Sequence, residues 1–171
     1  MTIDRISYRV LQWLVFVCAA LHNLEEGLAA ATYLPIARET LNQYLTPDLL
    51  IKLPDAEQFY YSLIGATVLP LALIVIATTG KPSQFKPYMV AGIAAVLLIN
   101  VFVPHLPAAF LLGGYAPGLF TAVGLNLPFS IYFLSRSLRD GHITRAGLMK
   151  VMIIAAGVLA LGLFIVWFAI S

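Results

Sequence analysis

Residues 8–31, YRVLQWLVFVCAALHNLEEGLAAA, form a largely apolar run that nevertheless carries a histidine and two adjacent glutamates, His22, Glu25 and Glu26. A helix crosses the hydrocarbon of a bilayer with about 20 apolar residues, so the run reads as a membrane span. Its ionisable residues stand at i, i+3 and i+4, which puts them on one helical face within about 100°, while Asn23 points elsewhere. Insertion scales charge roughly 2.5 to 3.5 kcal/mol for an acidic residue at mid-helix. Protonation, a histidinium or a bound cation must offset that cost, because the apolar runs carry Lys or Arg only at their far ends, Arg9 and Lys150, although Arg38 or Lys52 could dip in from the loop that follows.

The rest of the chain has the same character. Its 171 residues are 61% hydrophobic and 11% charged, where soluble domains carry about a quarter charged residues. Apolar runs and breakers predict an all-α integral membrane bundle of five transmembrane helices, at about 8–31, 58–79, 87–111, 117–135 and 147–170, forming one domain over 1–171. The basic start followed by an apolar run resembles a secretory signal, but the run is too long, and Val17 is too large for a lipoprotein cleavage site before Cys18. It is expected to be a retained first span. Cys18 is the single cysteine, which excludes an internal disulfide, and a net charge of +2 gives nucleic-acid binding no support.

With the N-terminus cytoplasmic, Arg5, Arg9, Lys81, Lys86, Arg136, Arg139, Arg145 and Lys150 fall inside, and only Arg38 and Lys52 outside. That positive-inside bias predicts a multi-pass protein of the cell (inner) membrane with its C-terminus outside. Depth then follows from the ~1.5 Å helical rise: His22 and Glu26 lie roughly 21 and 27 Å above Tyr8, and Asn100 and His105 roughly 20 and 27 Å above Pro87. The two polar sets share one depth in the outer half. Gln58, Tyr61, Ser62, Tyr115 and Thr121 are expected there too, whereas the inner half reads as apolar apart from Thr78, Thr79 and Asn126. Pro104 cannot donate to the Asn100 carbonyl, so a bend is expected that lets Asn100 and His105 face one cavity.

Together, HNLEE at 22–26, NVFVPH at 100–105 and YAPGLFT at 115–121 resemble the HXXEE-motif family of small multi-span membrane proteins. The resemblance runs over essentially the whole chain in the expected order. It points to His22, Glu25, Glu26, Asn100, His105, Tyr115, Pro117, Gly118 and Thr121 as a site, without naming a reaction.

Three classes of function are compatible with these residues. In the first, a membrane enzyme acts on a lipid-like or isoprenoid substrate entering from the bilayer. His22, Glu26 and His105 would hold a divalent metal, zinc most readily, with iron or manganese compatible. Glu25 would accept a proton from the attacking water, in a role exchangeable with that of Glu26, and Asn100 or Tyr115 would polarise a substrate oxygen, with Pro117, Gly118 and Thr121 in support. The spacing is not H-E-x-x-H, so no metalloprotease is expected. In the second, the carboxyls and imidazoles perform metal-free acid/base isomerisation or cyclisation of a sterol or terpenoid. In the third, the protein binds lipid or carries ions or protons without turnover.

Structural readings stand beside these. The polar cluster could simply pin helices together, Cys18 could be packing, and His142 could be a solvated loop residue. Tyr115 could be an interfacial anchor and Pro117-Gly118 a helix start. Gly157, Ala160 and Gly162 suit close packing and Trp167 an interfacial belt. Ile36, Ala37, Leu41, Tyr44 and Leu45 have helical spacing, either as an amphipathic lid or within an ordinary connector.

Overall fold

The structure, a computed structural model, describes residues 6–46 and 54–168, excluding the side chains of 167 and 168. Arg5, Lys52 and the Trp167 side chain, invoked above for orientation and an interfacial belt, lie outside the described residues. Within them the chain is all-helical, with no strand.

Helix α1 (Tyr8–Leu41) starts at Ser7, whose hydroxyl accepts from Val10 N–H at 3.3 Å. It was expected to stop near residue 31 but continues through Pro35 to Leu41. Pro35 forfeits only its own backbone donor bond, and the residues after it, Ala37, Arg38 and Glu39, are good helix formers. The stretch that could have formed a separate lid is thus the last turns of α1 up to Leu41. At ~1.5 Å per residue α1 is about 51 Å long, more than the ~30 Å thickness of a bilayer's hydrocarbon.

Helix α2 (Ala56–Thr78) opens with a capping box in which Asp55 and Gln58 bond each other's backbone N–H at 2.8 Å. Gln58 is therefore engaged at its own helix start. Tyr61 donates to Glu57 and Ser62 to the Phe59 carbonyl, so neither turns to the His/Glu cluster. Thr78 and Thr79 likewise donate to carbonyls one turn back.

Helix α3 (Lys86–Leu111) lies at the centre, packed against the other four helices. Ala91, Ala94 and Ala95 are fully buried, and such small residues let neighbouring backbones approach closely. On α5 (Arg145–Phe168), Gly147 is required by contact, since a Cβ there would overlap the Tyr88 ring of α3. Helix α4 (119–139) includes a π-helical turn, Ala122–Asn126.

Among the described residues four helices are long and apolar enough to cross a membrane: Tyr8–Leu41, Ala56–Thr78, Lys86–Leu111 and Arg145–Val166. The outward faces of α2 and α5 are lined by exposed Ile64, Val68, Leu69, Ile153, Ile154 and Leu161, as lipid-facing surfaces are.

The half of the bundle expected to face inward is less apolar than its sequence suggested. Gln12, Asn126, Ser130 and Ser137 are all buried there, on the faces of α1 and α4 that turn inward. Ser137 donates to the Phe133 carbonyl and lies 3.0 Å from the Tyr8 hydroxyl, but neither end of the Asn126 amide nor the Ser130 hydroxyl has a hydrogen-bond partner among the described residues. Asn126 was expected; Gln12, Ser130 and Ser137 were not, since a single polar residue in an apolar window scarcely changes its hydropathy. His142 is not simply a solvated loop residue either, for its ring stacks on Tyr8 with centroids 3.6 Å apart.

Candidate metal centre

The site forms where the upper part of α1 meets the break in α3 and the start of α4. In a regular helix Asn100 and His105 would diverge by about 140°. Here the backbone departs from helix at Val103 (φ −147°, ψ 112°), next to Pro104, which kinks α3 between its two helical segments. The expected bend is present, and it brings both residues to the same place. The Asn100 Nδ2 atom lies 2.8 Å from His105 Nε2 and 3.0 Å from His22 Nε2.

The two imidazoles meet edge to face, at 87° and with centroids 4.6 Å apart. Their Nε2 atoms are separated by 3.0 Å, and Glu26 Oε1 stands 3.7 Å from His22 Nε2 and 3.4 Å from His105 Nε2. His22 and His105 are 2% and 3% exposed and Glu26 15%, so these donors converge away from the surface. Four-coordinate ligands at ~2.0–2.1 Å from one ion stand ~3.3–3.4 Å apart, close to the observed separations. Two imidazole nitrogens and a carboxylate oxygen also suit zinc, iron or manganese. His22, Glu26 and His105 could thus hold a metal ion. Cys18, buried at 4% exposure, belongs to the hydrophobic core below and not to this group.

Glu25 has a different environment from Glu26. Its Oε1 accepts from the Tyr115 hydroxyl at 2.8 Å and Phe120 N–H at 3.1 Å, and its Oε2 from Thr121 N–H at 2.7 Å and the Thr121 hydroxyl at 2.6 Å. The backbone donors belong to the first turn of α4, where N–H groups lack intrahelical partners and the helix dipole favours negative charge. Glu25 of α1 therefore caps α4 from outside that helix. Burial, followed by its bond to Glu25, pushes the Tyr115 hydroxyl up to about 12, which keeps it a donor at neutral pH. Asn23, on another face, bonds Thr67 of α2 at 2.8 Å.

Gly118 closes the site. It precedes α4 in the left-handed region, at φ 80°, and a Cβ there would fall 2.8 Å from Glu26 Cγ, His22 Cε1 and His105 Cε1. The loop can lie on the three candidate ligands because residue 118 has no side chain. Pro117 brings its backbone carbonyl to the His105 ring. Thr121 touches both Glu25 and His22, the latter through a 2.9 Å contact between Oγ1 and Nδ1. Motif resemblance pointed to Gly118 and Thr121 only as support. Beside these residues a laterally open groove of about 480 Å³ runs past Leu21, Leu24 and Leu28 of α1, with Glu25, Tyr33 and Tyr115 among its lining.

Comparison with known proteins agrees with the motif resemblance. The family model described as "Protein of unknown function with HXXEE motif" matches residues 13–133. The chain is 27% identical over 118 residues to "Uncharacterized protein YrkK" of Bacillus subtilis (strain 168), covering 68% of each chain. No solved structure matches. With its family match extending over more than half the chain and its motif residues gathered at one site, the protein belongs to the HXXEE-motif family.

Proposed function

We propose that this protein is a membrane-embedded, metal-dependent enzyme acting on a lipid-like or isoprenoid substrate in the outer half of the cell membrane, with hydrolysis the reaction that best fits. It spans the membrane five times, α4 being the remaining span, with the N-terminus inside. The observation that carries this reading is the convergence of His22 Nε2, His105 Nε2 and Glu26 Oε1 at 3.0–3.7 Å, with no Lys or Arg in the sequence between residues 10 and 37 or between 87 and 135. Buried carboxylates and imidazoles inside a span are functional by default, because hydrocarbon penalises them.

A divalent metal held there would supply a Lewis acid and activate water. The chain's own groups do the rest. His22, His105 and Glu26 bind the ion, and the Asn100 amide, between the imidazoles, can turn toward a substrate oxygen. Glu25, occupied by four donors, is reassigned here from proton acceptor to holding Tyr115 and the start of α4 at the site wall. The groove along Leu21, Leu24 and Leu28 supports entry of an apolar chain from the bilayer.

Metal analysis of protein purified without a metal-affinity column tests the reading. About one zinc, iron or manganese per chain is expected, lost in His22→Ala, His105→Ala and Glu26→Gln but retained in Glu25→Gln. Metal-free protein with an intact fold would overturn it and favour metal-free acid/base isomerisation by the same residues.

A further inference from the structure

Thr121 holds one hydroxyl hydrogen and has three neighbours that compete for it or for its lone pairs: Glu25 Oε2 at 2.6 Å, His22 Nδ1 at 2.9 Å and the Gly118 carbonyl at 3.2 Å. An ionised carboxylate can only accept. Glu25 is held in that form by geometry, each of its oxygens taking one backbone N–H from the first turn of α4 and one hydroxyl besides. The shortest contact, to Glu25, therefore takes the Thr121 hydrogen. Only lone pairs remain for His22, so His22 Nδ1 must be the donor in its 2.9 Å contact with Thr121. A neutral imidazole carries one N–H, which leaves Nε2 as a bare lone pair facing His105, Asn100 and Glu26.

An independent contact agrees. With its Nδ2 end toward the rings, the Asn100 amide lies 3.0 Å from His22 Nε2 and 2.8 Å from His105 Nε2 and donates to both only if both Nε2 atoms are unprotonated; the two Nε2 lone pairs then face each other at 3.0 Å, the arrangement a cation between them would relieve. The Pro117 carbonyl supplies the His105 ring with an acceptor of its own.

We propose that Thr121 is a positioning residue: its hydroxyl, committed to Glu25, fixes the proton of His22 on Nδ1 and so presents the Nε2 lone pair to the cation site. The benefit to metal binding rests on the proposed metal centre, but the tautomer does not. The relay would give the two adjacent glutamates different tasks. Glu26 faces the cation site directly, while Glu25 acts on the same site through Thr121 and His22.

The test is the ¹⁵N spectrum of histidine-labelled, metal-free protein in a bilayer mimic, at a pH where the ring is neutral. Wild-type His22 and the Thr121→Ser variant should carry the proton on Nδ1. Thr121→Val should show a mixture or a shift to Nε2, and Thr121→Ala serves if valine impairs folding. Wild-type His22 protonated on Nε2, or an unchanged tautomer without the hydroxyl, overturns the proposal. If wild type binds zinc, Thr121→Val should weaken zinc binding by about 10–100-fold, with Thr121→Ser close to wild type. Equal zinc affinity in the valine variant also overturns the role. If wild type binds no zinc, the metal reading fails while the tautomer still decides the relay.

Discussion

A methyl group added at residue 118 would meet three side chains at once. The Cβ of Gly118→Ala falls 2.8 Å from atoms of His22, Glu26 and His105, all of them candidate ligands. The backbone at φ 80° adds a cost of about 1–2 kcal/mol for an L-residue. Neither penalty can be relieved without moving the loop off the site or the ligands apart. Gly118→Ala should therefore lower the thermal midpoint in detergent and remove the bound metal. Gly157→Ala, where nothing lies within 4 Å, should leave both unchanged. Equal behaviour of the two variants would show that the loop does not lie on the ligands.

At the scale of the element, α4 shows how unevenly buried polar groups are treated. The Ser137 hydroxyl bonds the Phe133 carbonyl and reaches Tyr8, so Ser137→Ala should destabilise the protein by on the order of 1 kcal/mol. The Ser130 hydroxyl, nine residues after Thr121, has no hydrogen-bond partner among the described residues, and its removal should leave stability unchanged or raise it by a similar amount, on the order of 1 kcal/mol. Chemical unfolding of the two variants side by side checks the sign. The same helix marks the limit of what sequence can disclose. Apolar runs located α2, α3 and the start of α5 to within about two residues, because hydropathy alone decides whether a segment can sit in hydrocarbon. The i, i+3, i+4 spacing placed His22, Glu25 and Glu26 on one face, and Pro104 announced the bend that unites Asn100 with His105. Spacing could not separate the two glutamates, because the difference lies in what α4 brings to each: backbone N–H groups to Glu25, and no hydrogen-bond donor from α4 to Glu26 among the described residues. Nor could it show that α1 runs on through Pro35, since a proline removes one bond from a helix whose other bonds survive.

Over the whole molecule, the contacts gather basic residues at one end. Tyr8 reaches Ser137 and stacks on His142, and Tyr88 accepts a hydrogen bond from Thr144 N–H, which ties the start of α1, the start of α3 and the α4–α5 connection together. Lys86 donates to the Thr79 carbonyl, adding the end of α2 to that group. Arg9, Lys81, Lys86, Arg136, Arg139, Arg145 and Lys150 belong to these segments, whereas Arg38 stands at the far end of α1. By the positive-inside tendency the basic end is expected to face the cytoplasm. The break at Val103, the Gly118 loop and the opening of the groove would then lie toward the outer surface. Accessibility of single cysteines in a Cys18→Ser background measures this. Gly114→Cys, in the loop before α4, should react with a membrane-impermeant maleimide in intact cells. Ser83→Cys, between α2 and α3, should react only once the inner face is opened. The reverse pattern would turn the molecule over and place the His/Glu site in the inner half, so that substrate would have to come from the cytoplasmic leaflet.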